Sequence, residues 1–136
     1  MASFRLQIIT PEKIFFNDET ERLIVRTTEG EMGVLAHHEN FVGSLPSGSV
    51  RIMINGNYRA AAISSGILKV SADKTTIIAE AIEWADEIDV EWAERSAKEA
   101  REKIEKKESN KELAYAELKL KRALNRINVH SGYNQK

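Results

Sequence analysis

Cysteine is absent from this 136-residue chain, and proline occurs only at positions 11 and 46. Without thiols there can be no disulfide, no thiolate metal site and no cysteine nucleophile, and a cytosolic setting fits. No apolar run approaches the ~20 residues needed to cross a bilayer. The opening stretch "MASFRLQIITPEKIFF" lacks the basic start, apolar centre and small-residue cleavage site of a secretory signal. Glycine and proline are both missing from Ile67 through Ser131. Histidine is scarce, yet two of the three stand side by side, His37 and His38 in "GEMGVLAHHENF".

What is present divides the chain in two. Up to about Glu83 the apolar residues alternate and Gly, Asn, Asp and Pro punctuate them. "FRLQII" places Phe4, Leu6 and Ile8 on one strand face. "ERLIVRTT" is β-branched enough to be buried on both faces. Asn55-Gly56 between two strand-like runs predicts a type I′ hairpin turn, and "GILKVSADKTTIIAEAI" holds two more strands around Ala72-Asp73-Lys74. Short strands at this spacing argue for a β-sandwich or a small barrel.

After Ile88 the period changes. Residues 90–127 are dominated by Ala, Glu, Lys, Arg and Leu, with Asp89 as N-cap and Glu91 and Glu94 near the positive end of the helix dipole. Ala93, Ala97, Ala100 and Ile104 trace one helical stripe. "KKESNKE" interrupts it. Leu113, Ala116, Leu120, Ala123 and Ile127 then trace a second, with Leu124 beside it. Two helices joined so briefly form an antiparallel hairpin. Its alanine stripe buries little apolar area, which predicts either a weakly held, mobile element or a rigid one secured by other contacts. The expected organisation is a β domain over residues 1–86 and a helical hairpin over 87–136.

Charge follows the same division. Residues 1–85 hold 8 basic and 10 acidic side chains, residues 86–110 hold 6 and 9, and residues 111–136 hold 6 and 2. The basic surplus is therefore confined to the tail, suited either to an acidic partner or to solvent. Nucleic-acid binding does not fit, because the chain as a whole is slightly acidic and its β half has no basic face interleaved with aromatics. Nor is there a site for chemistry. Adjacent histidines in an extended segment point apart, and in a helix they diverge by about 100°, so His37 and His38 do not make a metal site. No Gly-x-Ser-x-Gly elbow occurs, and "GSLPSGS" lacks the lysine and helix of a phosphate loop. The chain is read as an interaction protein without a catalytic residue.

"GEMGVLAHHENFVGSLPSG", followed by a strand run, the Asn-Gly hairpin and "GILKV", resembles the ε subunit of bacterial F-type ATP synthases. Gly30, Gly33, Leu35, His38, Phe41, Leu45 and Gly48 stand in that family's pattern, Gly-x-x-Gly-x-(Leu/Ile)-x-x-His-x-x-(Phe/Leu)-x-x-x-Leu-x-x-Gly. "AELKLKRALNRINV" is similar to the family's last helix, so the likeness spans nearly the whole chain. It implies a flattened β-sandwich of about ten strands followed by the helical hairpin. It also implies a non-catalytic central-stalk subunit that binds γ, seats the stalk on the c ring, and inhibits ATP hydrolysis through the hairpin. Localisation would be the cytoplasmic face of the bacterial membrane, peripherally, through the complex.

The resemblance places Glu29, Glu31 and Met32 near the c ring and His38, Phe41 and Val42 in the γ-facing region. For His38 the alternative is a ring that satisfies loop backbone groups. Gly30 and Gly33 are expected to adopt backbone angles that other residues resist. For the basic tail the implied partner is a carboxylate-rich loop of the catalytic β subunits in the α/β head, met by Lys119, Lys121, Arg122 and Arg126. Some members bind ATP through an Ile/Leu-Asp-x-x-Arg-Ala motif. Here Ile88, Asp89 and Ala93 match, but Trp92 occupies the arginine's place, which removes a cation near the phosphates. Arg122 and Arg126, with an indole able to stack on adenine, leave weak regulatory ATP binding as the alternative. No cofactor is required.

Overall fold

The computed structural model describes residues 2–106 and 109–134. Ten strands come first: β1 Phe4–Ile9, β2 Ile14–Thr20, β3 Leu23–Thr27, β4 Gly30–Val34, β5 Phe41–Leu45, β6 Gly48–Ile54, β7 Asn57–Ile63, β8 Gly66–Val70, β9 Thr75–Ala79 and β10 Ile82–Trp84. A 3₁₀ turn, Ala85–Glu87, precedes two helices, α1 Val90–Lys106 and α2 Asn110–Asn134. The chain divides into two compact units, Met1–Trp84 and Ala85–Lys136.

The first unit is a β-sandwich. One sheet has the order β2-β1-β9-β8-β5 and the other β10-β7-β6-β3-β4. Pairing is antiparallel throughout except between β1 and β9, which brings the first strand against the ninth. Because side chains alternate, each strand sends every second residue inward. Leu6 and Ile8 of β1, Val50 and Ile52 of β6, Leu68 of β8 and Ile77 of β9 are fully buried between the sheets. The run Leu23–Val25 departs from its expected burial on both faces: Leu23 and Val25 point into the core, Ile24 is only half-buried, and Arg26 is exposed. A sheet packed on one face needs only alternate apolar residues.

Local rules explain the corners. Ile54 pairs with Asn57, leaving Asn55 (φ +51°) and Gly56 (φ +83°) as the two-residue turn that the Asn-Gly dipeptide predicts. The buried Thr20 hydroxyl, at the end of β2, lies 2.7 Å from the Met53 carbonyl on β6, a polar tie from one sheet to the other. At the last strand, the Arg59 guanidinium stands 3.9 Å from the Trp84 ring centre, and the Phe15 ring lies 4.6 Å from the same indole.

The second unit is the helical hairpin. The Trp92 amide donates to Asp89 Oδ1 at 3.0 Å, so Asp89 caps α1. The Glu112 amide donates to Ser109 Oγ at 3.1 Å and begins α2 in the same way, within a Ser-x-x-Glu sequence. Ala93, Ser96, Ala97 and Ala100 of α1 are buried, as are Ala116, Ala123 and Val129 of α2. Ile104, Leu113, Leu120, Leu124 and Ile127 are half-buried. The second helix continues beyond Ile127, where the apolar repeat ends, to Asn134.

Candidate interaction surfaces

The strand and loop from Glu29 to Val42 carry most of the family pattern, which ends with Leu45 and Gly48. Thr27 shapes the turn: its hydroxyl donates to the Gly30 carbonyl at 2.9 Å and accepts from the Glu29 amide at 3.1 Å. Gly30 sits at φ +122°, a conformation that excludes most side chains. Gly33 does not share this role, since it is an ordinary residue of β4, and the second left-handed residue of the segment is His37 at φ +66°. Glu29 and Glu31 are exposed, with Glu31 paired to Arg51 at 2.6 Å. Met32 turns the other way and packs on the core.

The two histidines diverge. His37 is exposed, while His38 is half-buried with Nδ1 2.7 Å from the Glu39 carbonyl. Its ring thus reaches a loop backbone group, an arrangement compatible with a contact role as well. Phe41 is half-buried and folds its ring over Gly43: a Cβ placed on that glycine would lie 2.6 Å from Phe41 Cε1. Val42, on the edge strand β5, is 69% exposed.

A larger surface was not among the expected site residues. On the outer face of the β2-β1-β9-β8-β5 sheet, Ile14 pairs with Ile9, Ile9 with Ile78, Ile78 with Ile67, and Ile67 with Ser44. These residues form one row across all five strands. Ile14, Ile78 and Ile67 are 60, 51 and 49% exposed. Beside the row lies a depression of about 620 Å³ lined by Ile9, Pro11, Leu45, Ile67, Ile78 and Ala79, with Glu80 also present. Only part of the signal is local: Ile8-Ile9, Ile67-Leu68 and Ile77-Ile78 are apolar doublets in alternating strands. One member of each must face out.

In the hairpin, Ile88 and Ala93 are buried and the Asp89 carboxylate is occupied by its capping bond. Arg126 lies with its guanidinium carbon 5.0 Å from the Trp92 ring centre. Lys119 reaches Glu99 at 3.6 Å. Lys121 is exposed and Arg122 half-buried. Lys119 and Arg126 are thus turned toward α1, so the four basic residues do not form one open patch. Among the described residues, no three His, Asp or Glu side chains converge to hold a metal ion. No helix there is long and apolar enough to cross a membrane.

Residues 3–85 match the family described as the ATP synthase delta/epsilon chain, beta-sandwich domain, and residues 86–131 match its long alpha-helix domain. The chain belongs to the ATP synthase delta/epsilon family. Its relatives within that family include the ATP synthase epsilon chain of Ruminococcus albus, 48% identical over 95% of this chain and 97% of the relative. The sodium-ion-specific ATP synthase epsilon chain of Propionigenium modestum is 37% identical over 98% of this chain and 97% of its own length. Among solved structures, a chain of the Euglena gracilis mitochondrial ATP synthase, from an OSCP/F1/c-ring assembly, matches in fold with a TM-score of 0.78. It is 24% identical, covering 100% of this chain and 83% of the other. Delta/epsilon membership makes this a subunit of structural and regulatory kind rather than a catalyst.

Proposed function

We propose that this ATP synthase epsilon-type subunit couples the rotor to the c ring through its sandwich and restrains ATP hydrolysis through its hairpin. The observation that carries the coupling is the isoleucine row on the outer face of the β2-β1-β9-β8-β5 sheet. A chain acting alone gains nothing by leaving three half-exposed isoleucines in register, whereas a docking surface requires them. We assign this face, with Val42, to the γ subunit. Glu29 and Glu31, exposed at the β3–β4 turn, suit the polar loops of the c ring. Met32 supports that turn from inside rather than meeting a partner.

For the hairpin, the basic surplus of residues 111–136 suits the carboxylate-rich surface of the catalytic α/β head. Lys121 is already exposed, while Lys119 and Arg126 become available only if α2 leaves α1. The subunit so placed is peripheral to the cytoplasmic face of the membrane and is held there by the complex. ATP sensing is the weaker reading, because Asp89 and Arg126 are already engaged within the hairpin.

The test is ATP hydrolysis by the catalytic complex prepared without this subunit, then supplied with the full chain or a version ending at Glu87. Suppression by the full chain alone supports the hairpin as an inhibitory arm. That arm acts by charge if neutralising Lys121, Arg122 and Arg126 together relieves the inhibition. Equal activity with both versions overturns the inhibitory role.

A further inference from the structure

The most buried positions of the hairpin seam are mainly small residues. Buried positions along α1 are Ala93, Ser96, Ala97 and Ala100, and those of α2 are Ala116, Ala123 and Val129. Such residues let two backbones approach closely but remove little apolar surface from water. The larger side chains of the seam, Ile104, Leu113, Leu120, Leu124 and Ile127, are only partly covered. Most of a helix's stability in a protein comes from packing of its apolar face, so separation of the two helices exposes α1 to melting.

Besides His130 Nδ1, 3.2 Å from the Ala85 carbonyl, the described residues place ties between α1 and α2 along one edge of the hairpin. Trp92 meets Arg126, and two helical turns further on Glu99 meets Lys119. The ion pair joins a 64% exposed carboxylate to a 32% exposed ammonium, an arrangement that contributes little. The indole is the strongest aromatic partner for a guanidinium, and this one sits in the first turn of α1. The opposite end is held covalently by the connection between the helices. Separation therefore starts at the end where Trp92 and Arg126 meet, and a tie there resists every opening event.

We infer that Trp92 is an internal latch, which holds Arg126 against α1 and withholds that cation from any carboxylate partner until the helices part. The latch is a property of the chain by itself. Its consequence for hydrolysis rests on the reading of the hairpin as the inhibitory arm. Closed and inhibitory states then compete for one guanidinium: indole in the first, carboxylate in the second.

The test is amide hydrogen exchange on the full chain carrying Trp92→Leu, Trp92→Phe, Arg126→Gln, or Trp92→Leu with Arg126→Gln. Leucine is a good helix former at this exposed site, and the sandwich amides serve as an internal control. Loss of an exposed cation–π pair corresponds to about a two- to fivefold rise in opening. Exchange of amides in 93–100 and 123–130 is expected to rise by that factor in Trp92→Leu, less in Trp92→Phe, and no further in the double variant. Unchanged exchange in Trp92→Leu, or a double variant whose rise is the product of the singles, overturns the latch. Inhibition of hydrolysis is read separately, with Trp92→Leu expected to inhibit at lower concentration and Arg126→Gln at higher. Faster exchange with no change in inhibition leaves the latch standing and refutes the competition of the two states for Arg126.

Discussion

Replacing Ile67 and Ile78 by threonine tests the docking face directly. The two residues are hydrogen-bonded neighbours on β8 and β9, and they are 49 and 51% exposed. Full burial of an isoleucine side chain contributes roughly 1.5–3 kcal/mol, so a partner covering the exposed half gains about 0.75–1.5 kcal/mol from each. The pair together accounts for about 1.5–3 kcal/mol, or roughly a 10- to 150-fold change in affinity. Threonine keeps the β-branch and the strand preference while removing the apolar end. The fold should therefore be unaffected within about 0.5 kcal/mol. Titration calorimetry against purified γ subunit reads the affinity, and urea unfolding of each variant reads the fold. An unchanged γ affinity for a normally folded double variant refutes the assignment of this face. Lowered unfolding stability would instead show that these side chains support the sheet, contrary to their exposure.

Two glycines of the same sheet should respond unequally. At Gly66 an added Cβ meets the Ile78 backbone carbonyl oxygen at 2.6 Å, whereas at Gly43 it meets the movable Phe41 ring at the same distance. Overpacking costs about 1–3 kcal/mol where a neighbour can yield and more where it cannot, so urea unfolding should find Gly66→Ala less stable than Gly43→Ala. Asp89→Ala removes the cap of α1, worth about 1 kcal/mol, and hydrogen exchange in the first turns of α1 should accelerate about fivefold while the sandwich amides do not change.

Most of the architecture was legible because it rests on local pattern. Alternation marked the strands, Asn55-Gly56 marked a turn that the backbone confirms with two positive φ angles, and Asp89 marked the start of α1. Errors arose where one residue was read without its surroundings. Gly33 looked like a conformational requirement, yet it lies in a regular strand, and His37 takes the left-handed angle instead. Met32 is a different case: strand parity turns it inward and leaves it partly buried against the core, which the motif alone does not show. The isoleucine row escaped notice for a related reason. Each apolar doublet shows that one side chain faces outward, but nothing local shows that four strands align those side chains.

The sequence by itself determined the elements, their faces and the change from period two to period 3.6 at Ile88, because each depends on neighbours along the chain. It also determined that the α1 side of the hairpin seam is rich in alanine. Tertiary structure alone decided which outward residues meet. Ile9 stands beside Ile78 because β1 pairs in parallel with β9, far from it along the chain, and Arg126 reaches Trp92 because of the register between two helices. Such pairings depend on long-range closure of the chain, where the entropic cost is set against burial of the whole core rather than any one stretch of residues.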